Sequence, residues 1–206
     1  KLLARGVRAA MAETASVRVG HCCPDAPNVD VHVDGDVAFE DVPFEQISEY
    51  ADLPAESHDI AVTPHGSDDP VLELTLDPEA DAAYSALATG LLDDIECTVF
   101  DDAPGDVADD ETHVRFVHAS PDAPAVNVRV ADGGPTLCEG VEFRAATDYV
   151  PVDAGSYDLE VVPAESGDVA LSLPDVELDG GTAVSAVAVG ELGDDSLGAV
   201  LANDAR

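Results

Sequence analysis

Tryptophan is absent, methionine occurs once, and Phe and Tyr together make only 4% of the 206 residues. A core in this chain must therefore be assembled from Ala, Val and Leu. Cations are nearly as scarce. Eight Lys or Arg stand against 44 Asp or Glu, a formal charge of -36, and the single lysine is Lys1. A body of this charge repels phosphate backbones and anionic headgroups, since Lys and Arg supply the attraction to both. Nucleic acid is thereby excluded as a partner, and no run of residues is long and apolar enough to act as an integral membrane segment. Four cysteines, Cys22, Cys23, Cys97 and Cys138, form neither a C-x-x-C pair nor a disulfide framework, so idle thiols are expected.

High charge with few aromatics accompanies disorder when apolar content is low. Here 46% of the residues are hydrophobic, which predicts a folded chain. Excess carboxylate with almost no lysine keeps a protein hydrated in molar salt, where the Debye length is about 3 Å. The composition therefore reads as that of a halophile.

Charge is unevenly placed. Lys1, Arg5 and Arg8 fall within residues 1–16, a basic leader in which Leu3, Val7 and Met11 share a helical spacing. Its apolar stretch is too broken for a secretory signal. Two readings of it stand: a start preceding a natural initiator at Met11, or a tether that docks on the acidic surface of a neighbouring subunit.

The chain repeats itself. VRVGHCCPDAPNVDVHV from Val17 matches VRFVHASPDAPAVNVRV from Val114 at an offset of 97. At an offset of 99, Phe44 matches Phe143, Tyr50 matches Tyr149, and SHDIAVTP from Ser57 matches SYDLEVVP from Ser156. CTVFDD from Cys97 corresponds loosely to GAVLAND from Gly198. The expected organisation is a first repeat over 17–102, an acidic linker over 103–112 and a second repeat over 113–206.

Within each unit the apolar period is two, as in Val29, Val31, Val33 and Val126, Val128, Val130. In the first unit short strands are expected near 17–21, 28–33, 47–53, 58–63, 70–76, 83–90 and 96–101, separated by Pro, Gly and Asp. The expected fold is all-β: two tandem antiparallel β-sandwich domains of immunoglobulin-like type.

The elements HCCPDAP and HASPDAP, each followed by alternating valines and then by an aromatic before a Tyr, resemble the domain of unknown function 4397 in tandem. That family occurs in halophilic archaea and bacteria, often in secreted or surface proteins. The resemblance implies a compact β-sandwich, no activity and no cofactor. It favours a cell-surface or extracellular location; a start at Met11 would instead make the protein cytoplasmic.

His118, Ser120 and Asp122 have the residue types of a hydrolase triad, but their i, i+2, i+4 spacing in a Pro-flanked segment and the lack of a G-x-S-x-G elbow argue against catalysis. No catalytic residue is expected. A structural motif loop is read instead, formed by His21, Pro24, Asp25 and Pro27 and by His118, Pro121, Asp122 and Pro124. The prolines set φ, each Asp caps the turn between the first two strands, and each His bonds across the loop. Arg18 and Arg115, cations kept at equivalent places, are expected to be partly buried and to anchor these loops through Asp25 and Asp122. An alternative site is a metal or small-molecule contact set of His21, Cys22, Asp25 and His32, completed by His58 or His65. Asp-rich stretches such as Asp101-Asp102 and Asp106 to Glu111 are read as solvated surface, holding cations loosely at most.

These observations predict a non-enzymatic structural or binding module of a surface assembly, self-associating through its leader or its strand edges. The competing expectation is a soluble intracellular binding protein built on the first-repeat His/Cys/Asp cluster.

Overall fold

The computed structural model describes residues 13–204. The leader docking site and the Met11 start fall largely on residues 1–12, outside the described residues. No helix among the described residues is long and apolar enough to cross a membrane.

The architecture is all-β, two tandem sandwiches. The first repeat holds β1 (Thr14–Cys22), β2 (Val29–Val33), β3 (Asp36–Val42), β4 (Ala51–Pro54), β5 (His58–Pro64), β6 (Leu72–Leu76), β7 (Ala83–Thr89) and β8 (Glu96–Asp101). The second holds their counterparts β9 (Glu111–His118), β10 (Val126–Val130), β11 (Thr136–Val141), β12 (Val150–Asp153), β13 (Gly155–Pro163), β14 (Leu171–Leu178), β15 (Thr182–Val189) and β16 (Gly198–Asn203). Each repeat forms an outer sheet, β3-β2-β5-β6 or β11-β10-β13-β14, and an inner sheet, β4-β1-β7-β8 or β12-β9-β15-β16. Pairing is antiparallel except for β1 with β7 and β9 with β15, which run parallel.

Alternation decides what each strand buries. Val19 of β1 packs with Val29, Val31, Val42 and Val62 inside the first sandwich, while Val114 and Phe116 of β9 pack with Val126, Val128, Leu159 and Val161 inside the second. The intervening residues do not face water. Leu87 and Cys22 from the first repeat join Val117, Ala119, Val187 and Val189 from the second in a third apolar cluster. The two inner sheets are thus packed on each other, and their strands are buried on both faces, as β1 and β9 show along most of their length.

Strand β3 lies outside the sequence expectation. Its residues DVAFEDV are largely exposed, with Val37 53% accessible, because it is an edge strand joined to β2 by a two-residue turn. In that turn Asp34 and Gly35 both have positive φ, 52° and 89°. Such a turn matches the twist of the flanking strands. At the start of the chain, β1 begins at Thr14, inside the expected leader. The expected linker overlaps β9, which starts at Glu111 and buries Thr112 fully, while residues 105–110 are largely exposed and the carbonyl of Pro104 bonds His113 Nδ1 at 2.7 Å.

Candidate functional site

Each motif loop connects the first two strands of its repeat, and the same bonds recur in both. His21 Nε2 lies 2.9 Å from the Pro27 carbonyl, and His21 Nδ1 accepts the Cys23 N–H at 3.3 Å. His118 repeats this with the Pro124 carbonyl at 2.9 Å and the Ser120 N–H at 3.2 Å. A ring that donates from Nε2 and accepts at Nδ1 is the neutral tautomer. Burial lowers the pKa of both histidines, which agrees with that assignment. Phe44 and Phe143 set their rings edge-on to these imidazoles at 6.1 Å, the packing role of the aromatic that follows the motif.

The carboxylates of the motif cap a different segment from the expected one. Asp25 accepts the Leu92 N–H at 2.7 Å, and Asp122 accepts the Leu192 and Gly193 N–H groups at 2.7 Å each. They therefore tie the motif loop to the loop before the last strand of the repeat, not to the turn between the first two strands. The Ser120 hydroxyl donates to Asp122 at 3.4 Å, and both nitrogens of His118 are engaged with backbone groups. The imidazole has no lone pair left for Ser120 Oγ, so His118, Ser120 and Asp122 do not form a triad. In the first repeat Cys23 takes the place of Ser120, its thiol directed at Asp25 at 3.2 Å. Burial pushes the thiols of Cys22 and Cys23 up to about 12, far from the thiolate a nucleophile requires.

The metal set His21, Cys22, Asp25 and His32 is not assembled. His21 is buried, Cys22 faces the other repeat, and His32 points to the outer sheet's far side, where Nε2 meets Thr63 Oγ1 at 3.1 Å. His58 bonds Asp34 and the Pro54 carbonyl, and His65 bonds Asp30. Among the described residues no group of three or more His, Cys, Asp or Glu side chains is placed to hold a metal. His32, Asp59, Thr63, Glu73 and Thr75 instead line an open surface groove of about 720 Å³. On the corresponding strands of the second repeat, Arg129 pairs with Glu160 at 2.8 Å.

Arg18 and Arg115 are 2% and 3% exposed, but their partners are not Asp25 and Asp122. Each guanidinium crosses to the other repeat. Arg18 Nη2 pairs with Asp204, Nη1 donates to the Asn203 carbonyl at 2.8 Å, and Nε donates to Ser85 at 2.7 Å. Arg115 mirrors it, pairing with Asp102 at 2.5 Å and donating to the Asp101 carbonyl at 3.1 Å and to Ser185 at 3.0 Å. The carboxylates are held from their own side by matching hydroxyls: Tyr50 and Ser85 donate to Asp102 at 2.7 and 2.6 Å, Tyr149 and Ser185 to Asp204 at 2.7 Å each. Arg18 also stacks on Tyr50, and Arg115 on Tyr149 and Phe100.

Asp102, expected on a solvated acidic surface, thus has a fully buried carboxylate, as does Asp204. Two cations and two anions cancel in a dry interface, and no buried side-chain N or O among the described residues lacks a partner. The sequence signal for this site was the late match of CTVFDD with GAVLAND, which aligns Asp102 with Asp204.

The family model of the domain of unknown function DUF4397 matches residues 15–129 and again 130–206. No curated protein matches the chain. Solved structures similar to it include the crystal structure of CBMbc (family CBM26) from Eubacterium rectale Amy13K in complex with maltoheptaose. That likeness has 11% identity over 94% of this chain and 98% of that one, with a TM-score of 0.28, which carries no functional argument. Through two matches that together span residues 15–206, and with the motif residues and paired sheets just described, this chain belongs to the DUF4397 family.

Proposed function

We propose that this protein is a non-enzymatic structural and binding module that works at or outside the cell surface of a halophile, as a rigid unit of an assembly or adhesive layer. The observation that carries the reading is the use made of the motif. In both repeats its His, Asp and Ser or Cys side chains are committed to backbone groups and to one another, so the residues with catalytic potential serve to hold loops in place. The doubly covered inner sheets supply stiffness, and the outer sheets and strand edges supply surface for partners. The charge of -36 suits a body exposed to concentrated salt. The basic leader is proposed to dock on the acidic surface of a neighbouring copy.

Protease treatment of intact producing cells, kept in their growth salt, tests the location. Loss of the protein while a cytoplasmic marker survives supports the proposal, and equal survival of both contradicts it. Light scattering in molar salt, with and without residues 1–12, tests the leader. If both forms stay monomeric, assembly through the leader is wrong.

A further inference from the structure

The contact between the repeats has the form of a two-fold protein–protein interface whose halves happen to be joined by a linker. The buried charges and their hydroxyl partners occur twice with the roles exchanged: Arg18 with Asp204 and Arg115 with Asp102, Ser85 and Tyr50 on Asp102, Ser185 and Tyr149 on Asp204. Arg144 of the second repeat stands outside this reciprocity, donating to Thr89 Oγ1 at 3.2 Å and to the Asp94 carbonyl at 2.6 Å in the first, with Glu45 at its counterpart position. All eight residues of the exchanged set lie on strands or beside their ends, so neither ion pair uses a residue of the connecting segment. That segment is itself bonded to the second repeat, through Pro104 to His113 and through Ala108 to Gly181. The ion pairs themselves therefore make no chemical demand that the two faces belong to one chain, and the contact that an exchange must open is the Pro104–His113 bond, two residues from both Asp102 and Arg115.

The apolar part of the interface says which face fits which. Where the first repeat has Gly20, Ile47 and Leu87, the second has Val117, Ala146 and Val187. Each repeat thus meets in the other a differently shaped surface, and a copy of itself would present the wrong one. The charged set supplies attraction and register, and the apolar set discriminates.

We propose that the inner-sheet face of each repeat is a docking surface for the unlike repeat of a second copy of this chain, so that two chains close on each other by exchanging repeats through the same pair of buried ion clusters. Exchange of an identical element reuses native contacts and costs little beyond the loss of the local concentration that the linker provides. This inference rests on the assembly reading above and names for it a surface and a partner.

Two full-length variants test it. Arg18→Asp sets a second carboxylate against Asp204, and Asp204→Arg sets a second guanidinium against Arg18, so each variant alone has like charges buried whether it closes on itself or on its twin. Mixed, the first repeat of one variant matches the second repeat of the other at both interfaces. Refolding the variants together at molar salt is expected to give a one-to-one dimer, by native mass spectrometry, at least about tenfold more abundant than any dimer of either variant alone. The single chain R18D/D204R is expected to close as a monomer, which shows that the inverted pair is tolerated. A second measurement is independent of substitution: wild-type chains of two isotopic masses, unfolded together and refolded at high concentration, should give a dimer of mixed mass. Failure of the two variants to form the mixed dimer overturns the proposal, whatever the isotopic mixture gives, because a dimer made through the leader would also be of mixed mass. Assembly through the leader would pair each variant with itself as readily as with the other, so the two ideas fail separately.

Discussion

Arg18, Arg115, Asp102 and Asp204 keep their charges where water does not reach, and at this scale geometry decides whether that is tolerable. Removing an ion from water costs several kcal/mol, recovered only when each donor and acceptor finds a partner. Here hydroxyls and carbonyls complete both shells. Deleting one member leaves its partner charged and dry, so Arg115→Ala should destabilise the protein by about 3–5 kcal/mol, read from denaturant unfolding in molar salt. His58 yields a second expectation. Both of its nitrogens face acceptors, Asp34 at 2.6 Å and the Pro54 carbonyl at 2.8 Å, which calls for the doubly protonated ring. Its pKa is raised, chiefly by the hydrogen bond to Asp34. The stabilisation is then fully present below the ordinary histidine pKa of about 6.5 and lost as pH rises through the higher folded value. The second repeat makes the equivalent tie with an uncharged group, Tyr157 donating to the Asp153 carbonyl at 2.6 Å. The pKa of His65, bonded to Asp30 at 2.8 Å, is raised in the same direction, so a His58→Tyr variant should show a shallower loss of stability above neutrality than the parent in pH-dependent thermal unfolding.

Among the elements, β1 and β9 are covered on both faces along most of their length. A Cβ on Gly20 of β1 would lie 2.5 Å from Leu87 Cδ2 and 3.1 Å from Ile47 Cγ1. Gly20→Ala should accordingly cost about 1–3 kcal/mol. Adding Leu87→Val and Ile47→Ala, which brings in smaller residues found in the second repeat, should restore much of the loss, and a cycle of denaturant midpoints checks this. The elements were also the scale at which sequence spoke most clearly. Val29, Val31 and Val33 disclose β2 through their period, and the 97-residue offset discloses β10 in the same stroke. Strand β3 escaped because an exposed edge needs no alternation, so DVAFEDV carries none of the expected signal. The ion cluster was half legible. Retention of Arg18 and Arg115 in a cation-poor chain pointed to burial, but their partners are two among 44 carboxylates, and sheet stacking rather than any local pattern selects them. Asp25 and Asp122 lay nearer in sequence, yet their oxygens are taken by the loops before β8 and β16.

For the molecule as a whole, the charge of -36 and the neutral interface respond to salt in different ways. Surface carboxylates repel one another less as the Debye length shrinks, so stability should fall when KCl is diluted from molar to about 0.1 M. The buried cluster is out of reach of that screening, and the penalty of Arg115→Ala should change little across the same range. The central claim is that the reciprocal ion pairs join two sandwiches into one cooperative body. Its most direct test is native-state hydrogen exchange on Asp204→Asn, a substitution in the second repeat. Exchange should be faster in β1 and β7 of the first repeat, where Arg18 loses its anionic partner and Ser85 is bonded to Arg18, to an extent comparable with β9 and β15. Acceleration confined to the second repeat would contradict it.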